Sequence, residues 1–423
     1  MPVGTFAKLA LATLASVCLS LVLIGCGQAA QSSQDSKVDT RPAATNDPSS
    51  KLPKYEIRID PKEWRALERN PDSDETHPAT FIADGVTYTN VGVRFRGEWA
   101  RSWPKKPLKI FFSRSQPFQG HHSLNLNSAW RDPAYVRETL AYHVFARSGV
   151  PASRSRMVIL HLNGQFRGLY VEVEQVDKTL LSQFGLKGAA LFKATSDNNQ
   201  ADERDHGRES AFAAHYENET QKTNGLPELR TFCHELATTT NAAEFFNQRM
   251  DVEKYINYLA ATVLIQHWDG FNKNHFMVYD RRGSGKWLAW PWDLDRTLGD
   301  HWNGSFNHTE LPILLGTKQR PAVTGWNRLQ DRFFGEPTLR LRFGKRLLEL
   351  LESEFTEKKL FPMLDQWESE LVSVADQDRR RWPGPSEDLH QGMAGLKKFI
   401  ERRRSYLLRE ANKMIAANSS PTP

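Results

Sequence analysis

The chain has 423 residues, 39% hydrophobic and 25% charged, enough to bury a large core as one two-lobed domain or as two domains. Its formal net charge of +6 is spread rather than gathered in blocks, which argues against nucleic-acid binding and suits a nucleotide or an acidic substrate. Of three cysteines, Cys18 and Cys26 precede the body of the chain, so Cys233 is left without an internal disulfide partner and reads as a buried structural thiol.

Lys8 is the only charge before a run of apolar and small residues from Leu9 to Gly25, the make-up of a secretory signal over residues 1–25. The run is short for a membrane-spanning helix. Residues 26–53 are rich in Ser, Asp, Gln, Ala, Pro and Thr and lack aromatics, so a disordered tether is expected there.

The folded region is expected over 54–417, with a short tail at 418–423. Residues 55–59 alternate as a strand, and Pro61 opens a short helix capped by Asp60. Strands are expected at 86–96 and 107–112, flanking a loop at 97–103. In the second strand Lys109 alternates with Leu108 and Ile110, so it points away from the apolar face. A helix follows, with Asp132 as N-cap, Pro133 in the first turn, and Gly149 and Pro151 as the stop. Val136, Leu140 and Val144 give it a core face, and Glu138 lies off that line. The Asn163-Gly164 dipeptide predicts a hairpin between 157–162 and 166–175.

Residues 179–250, with a polar stretch and two weak helices, read as an insert. Val252, Tyr255, Ile256, Leu259 and Val263 then form a helical stripe that feeds the loop at 267–274. An aromatic strand is expected at 286–292, and helices at 337–353, 357–379 and 386–416.

Two acidic clusters carry the chemistry. In His267-Trp268-Asp269-Gly270-Phe271-Asn272-Lys273-Asn274 an Asp is followed five residues later by an Asn. That is the separation of catalytic Asp and metal-binding Asn in the protein-kinase loop H-R-D-x-x-x-x-N. In Trp292-Asp293-Leu294-Asp295-Arg296-Thr297-Leu298-Gly299 carboxylates precede a Gly, as in the D-F-G metal ligand. Phosphoryl transfer needs a carboxylate to orient the attacking hydroxyl and hard oxygen ligands for a divalent cation. Either cluster alone is compatible with ordinary turn formation. His275 and His301 lack a paired metal-binding spacing and read as structural.

Several spaced motifs agree in order: Val91-Gly92-Val93-Arg94-Phe95-Arg96-Gly97 with Pro104–Phe112; Leu124-Asn125-Leu126-Asn127 with Asp132-Pro133 and Val136-Arg137-Glu138; Asn163-Gly164 with Gly168-Leu169-Tyr170 and Val173-Glu174-Gln175-Val176-Asp177; and the acidic pair. Over roughly residues 55–410 the chain resembles the CotH kinase family, spore-coat-protein-H-like secreted kinases.

The resemblance implies an α+β, atypical protein-kinase fold with two lobes: a β-rich small lobe at 54–178 and a helical large lobe at 251–417, separated by the 179–250 insert. It implies ATP and Mg²⁺ or Mn²⁺ as cofactors and transfer of the γ-phosphoryl group to hydroxyls of exported or cell-surface proteins. Asp269 takes the role of base or orienter, Asn274 and Asp293 those of metal ligands, and Asp295 that of a further ligand or support. Lys109, with Lys106 as competing candidate, would pair with phosphate and be held by Glu138. The segment 174–177 matches the adenine-binding hinge. The chain lacks G-x-G-x-x-G at 97–103, so phosphate contacts fall to backbone amides with Arg96, Arg101 or Ser102.

The ending Leu23-Ile24-Gly25-Cys26 resembles a bacterial lipobox, which implies cleavage before Cys26, its acylation, and anchorage in a cell envelope facing the periplasm or exterior. Two other classes stay open: a non-catalytic surface-binding module of the same fold, and a two-metal phosphoesterase using the same carboxylates. The hinge-like segment and Lys109 speak against the second.

Overall fold

The computed structural model describes residues 52–195, 200–221, 226–301, 309–322 and 325–419. The expected signal, Cys26, nearly all of the tether and residues 420–423 of the tail lie outside them. In chain order come β1 (Lys54–Ile59), α1 (Pro61–Arg69), β2 (His77–Ala83), β3 (Val86–Phe95), β4 (Leu108–Phe111), β5 (Ser123–Asn127) and α2 (Arg137–Arg147). Next are β6 (Ser155–Leu162), β7 (Gln165–Glu174), α3 (Lys178–Gln183), β8 (Ala190–Ala194), α4 (Glu209–Ala213), β9 (Tyr216–Asn218), α5 (Pro227–Thr238) and α6 (Ala242–Arg249). They lead to α7 (Val252–Ile265), β10 (His275–Tyr279), β11 (Trp287–Pro291), α8 (Arg328–Gly335), α9 (Pro337–Ser353), α10 (Glu357–Arg381) and α11 (Leu389–Ser419). The fold is mixed α+β.

β1 to β7 close into a barrel in the order β1-β2-β3-β4-β5-β7-β6, with parallel β1–β6 pairing as the closure. Two-residue turns at Asp84-Gly85 and Asn163-Gly164, all four residues at positive φ, join β2 to β3 and β6 to β7. Strand alternation then sorts the side chains. Ile57, Phe81, Val93, Phe95, Leu108, Ile110, Leu124 and Leu126 belong to a core inside the barrel. Arg94, Lys109 and Asn125 share one rung, with the opposite parity, on its outer face.

A second sheet has the order β11-β10-β8-β9. The segment expected as an insert thus supplies β8 and β9, built into the same sheet as the acidic clusters. β9 is only three residues long, too short to leave a period in the sequence. The larger core runs without a break from Met157, Leu169 and Val171 on the barrel, through α2, α7 and the second sheet, to Leu347, Leu364 and Leu396 in the closing helices. Cys233 lies in it, fully buried.

α2 starts later than expected. Tyr135 adopts φ +60°, and Val136 rather than Asp132 occupies the N-cap position. Asp132 still accepts from the Ala134 and Arg137 amides at 3.1 and 2.8 Å, tying the loop to the first turn. Among the described residues no helix is long and apolar enough to cross a membrane.

Candidate active site

Antiparallel register explains why the two acidic clusters meet. His275 pairs with Pro291 at the open end of the β10–β11 hairpin. One residue further out, the Trp292 amide donates to the Asn274 carbonyl at 3.2 Å. Asn274 and Asp293 therefore lie at the same end of one hairpin, although 19 residues separate them in the chain. Both take left-handed backbone, at φ +59° and +56°. Gln266 and Leu298, at +55° and +53°, frame the same loops, a clustering of strained backbone typical of functional sites.

Asp269 faces Asn274 directly: Asn274 Nδ2 donates to Asp269 Oδ2 at 3.0 Å, and Lys273 Nζ lies 3.4 Å from Oδ1. Burial pushes the Asp269 carboxyl up to about 6, with Lys273 opposing and Asp293 adding to the rise. Gly270 is required by its neighbour, since a Cβ there would stand 2.4 Å from His267 Nε2. The His267 imidazole is pulled down to about 4 by burial, so it is a neutral packing group beside the loop.

Asp293 and Asp295 meet Glu138 from α2. Burial raises Glu138 to about 7, against hydrogen bonds from Asn127 and with the Asp293 charge adding to the rise. Asp295 is raised well above the carboxylate range by burial, then by Asp293 and Glu138. Arg137 on α2 clamps the turn that follows, donating to the Thr297 and Leu298 carbonyls at 2.8 Å each. Tyr142, one helical turn beyond Glu138, is buried against the same carboxylates.

The expected Lys109–Glu138 ion pair is not formed. Lys109 Nζ donates to Gln175 Oε1 at 2.8 Å, whereas both Glu138 oxygens accept from Asn127 Nδ2 at 2.9 and 2.8 Å. The reason is register: Lys109 stands opposite Asn125, two residues along β5 from Asn127. Arg96 reaches the Asn127 position instead, donating to Asn127 Oδ1 and lying 5.6 Å over the Trp292 ring. Lys106 turns away, its amine donating to the Trp103 carbonyl at 2.8 Å. Arg101 and Ser102 are likewise engaged locally, with Asp74 and with the Trp99 carbonyl.

Lys109 remains in a cationic setting. Burial pulls its amine down to about 7, and Arg96 and Arg94 lower it further. On the barrel face it is Arg96 that stands beside the second acidic cluster, over Trp292 and near Glu138. Sequence reasoning missed Asn127, Lys273, Arg137 and Gln175 as participants. Each sits inside a quoted motif, but its partner is seen only in the fold.

The donor set is all hard oxygen, and mutual repulsion among Glu138, Asp293 and Asp295 is the kind a divalent cation relieves. Among the described residues no three His, Cys, Asp or Glu side chains form a ready cage.

The chain belongs to the CotH kinase protein family, whose model matches residues 93–407. Inner spore coat protein H of Bacillus subtilis (strain 168) is 25% identical over 320 residues, covering 74% of this chain and 85% of that protein. Invasin CotH2 of Rhizopus delemar is 23% identical over 265 residues, covering 59% of this chain and 45% of that protein. The solved structure of the Helicobacter pylori proinflammatory kinase CtkA covers 74% of this chain and 95% of its own at 11% identity and a TM-score of 0.35, too distant a likeness to argue from.

Proposed function

We propose that the protein is an ATP-dependent protein kinase that transfers the γ-phosphoryl group to hydroxyl side chains of exported or cell-surface proteins. The observation that carries this reading is the hairpin closure that sets Asn274 and Asp293 side by side, with Asp269 hydrogen-bonded to Asn274. In this reading the barrel and its outer face act as the small lobe and the helical part as the large lobe of a kinase-like arrangement.

Asp269 orients the acceptor hydroxyl and takes its proton; with its carboxyl near 6 it is ionised at neutral pH yet still basic enough to assist. Arg96 and Lys109 bind the phosphates, and an incoming polyanion favours the protonated form of Lys109. Asn274, Asp293 and Asp295 are the groups that would hold Mg²⁺ or Mn²⁺, with Glu138 beside them. The cation, when bound, supplies positive charge on the phosphate oxygens. Held by a lipid on Cys26, the domain would work at a bacterial envelope, facing the periplasm or the exterior.

The test is autophosphorylation of the purified mature protein with labelled ATP and either metal. Label on Ser, Thr or Tyr is the expected result. Absence of both label and nucleotide binding with Mg²⁺ and with Mn²⁺ would overturn the reading in favour of a surface-binding module.

A further inference from the structure

Between Asp269 and Asn274 the backbone carries three consecutive carbonyls, and each has a partner outside the loop. Asn327 Nδ2 donates to the Phe271 carbonyl at 2.8 Å, and the Ala201 amide donates to that of Asn272 at 3.0 Å. His275 Nδ1 donates to that of Lys273 at 3.0 Å. Two of the three donors converge on one buried carboxylate. Glu203 Oε1 accepts from His275 Nε2 at 2.9 Å and from the Tyr216 hydroxyl at 3.1 Å, and Oε2 accepts from Asn327 Nδ2.

Glu203 is 2% exposed and takes φ +56°, an unfavourable conformation for a long side chain. A buried carboxylate with strained backbone is costly unless its partners compensate. Here every contact on its two oxygens is a donor, which is what an ionised carboxylate needs. The neighbouring Asp202 adds a second tie, bonding Arg328 at the start of α8.

We propose that Glu203 is a positioning residue: with His275 and Asn327 it clamps the 269–274 backbone in the geometry phosphoryl transfer uses. The segment between β8 and β9 is thereby given a role, as the brace of the loop that bears Asp269 and Asn274. The proposal rests on the kinase reading for its consequence in catalysis, but the clamp itself is a physical property of the loop.

Two substitutions separate the clamp from mere space filling. Glu203→Gln keeps the volume but turns an amide NH₂ against donors on one side or the other. Both Glu203→Gln and Glu203→Ala should lower the turnover of ATP-dependent transfer about 10–100-fold, the scale of a small misplacement of reacting groups. The KM for ATP should change less than turnover does, because Arg96 and Lys109 are untouched while Asn274 shares the loosened loop. Amide hydrogen exchange should quicken at 269–275 in both variants and not in the barrel strands. Should neither fold, Tyr216→Phe removes one donor to Oε1 and should give the same local exchange signature with a smaller loss of turnover. Wild-type turnover in Glu203→Gln, or unchanged exchange at 269–275 in a folded variant, would overturn the proposal. Wild-type protein inactive with both metals would defeat the kinase reading instead and leave the exchange result to decide the clamp.

Discussion

Asp269 shows how a site residue is set against stability. Its carboxyl is raised from 3.8 to about 6, so the folded protein holds that proton more tightly than the unfolded chain does. Stability therefore falls as pH rises through this window, and the full penalty is present above about pH 6. Glu138, raised to about 7, acts in the same direction. Asp269→Asn is accordingly expected to stabilise the metal-free protein by on the order of 1–3 kcal/mol near pH 8, with the gain gone below about pH 4. Denaturant unfolding at the two pH values measures this, and an equal effect at both would contradict it. Arg96 is the other decisive residue. Its replacement by Ala should weaken ATP binding about tenfold or more, the worth of a charge-assisted contact. Titration calorimetry with ATP and Mg²⁺ is the check, and wild-type affinity would take Arg96 out of the phosphate site.

At the scale of elements, α7, its loop and the β10–β11 hairpin form one device. The helix ends at Gln266 in left-handed backbone, and the His267 amide bonds back to the Thr262 carbonyl at 3.0 Å. The loop can turn this tightly because Gly270 leaves room for the His267 ring. Gly270→Ala should displace that ring, costing about 1–3 kcal/mol of stability as overpacking does. It should also lower turnover more than ATP affinity, measurable as a fall in kcat at near-constant KM.

Much of this device was legible beforehand. The stripe from Val252 to Val263, the aromatic strand at 286–292 and the Asp269–Asn274 spacing are local patterns, and local patterns are readable in a sequence. What escaped are relations set by register. Lys109 and Arg96 differ by which residue of β5 they face, and nothing in their own neighbourhood distinguishes them. Barrel closure by β1 and β6 and the entry of β8 and β9 into the second sheet are long-range pairings of the same kind. The start of α2 was misplaced for another reason: Asp132-Pro133 is a strong cap signal, and the turn at Tyr135 overrides it.

Across the whole molecule, the barrel is fastened to the closing helices by a buried ion pair. Lys105 Nζ lies 2.7 Å from Asp378 Oδ1 on α10, with both side chains almost wholly inaccessible. Asp378 also accepts from the Leu169 amide at 2.8 Å and from the Tyr135 hydroxyl at 3.1 Å. Only Gly fits at 168, where a Cβ would stand 2.2 Å from Asp378 Oδ1. Asp378→Ala should cost about 3–5 kcal/mol, since it leaves Lys105 buried and unpaired. An unfolding midpoint close to wild type would show that the pair does not fasten the barrel. Outside the described residues, Cys26→Ser should shift the protein from the detergent phase to the aqueous phase on partitioning if its thiol carries lipid.

In the proposed kinase reading Asp269 and Asp293 serve the same phosphates from opposite sides, one toward the acceptor and one toward the cation. Parallel measurement of Mg²⁺-dependent ATP binding and of phosphoryl transfer in Asp269→Asn and Asp293→Asn tests it most directly. Asp269→Asn should bind ATP like wild type and lose transfer by about 10²–10⁴, the usual worth of general-base assistance. Asp293→Asn should lose cation-dependent binding itself. Two variants that both bind and both transfer at the wild-type level would rule out these roles for Asp269 and Asp293.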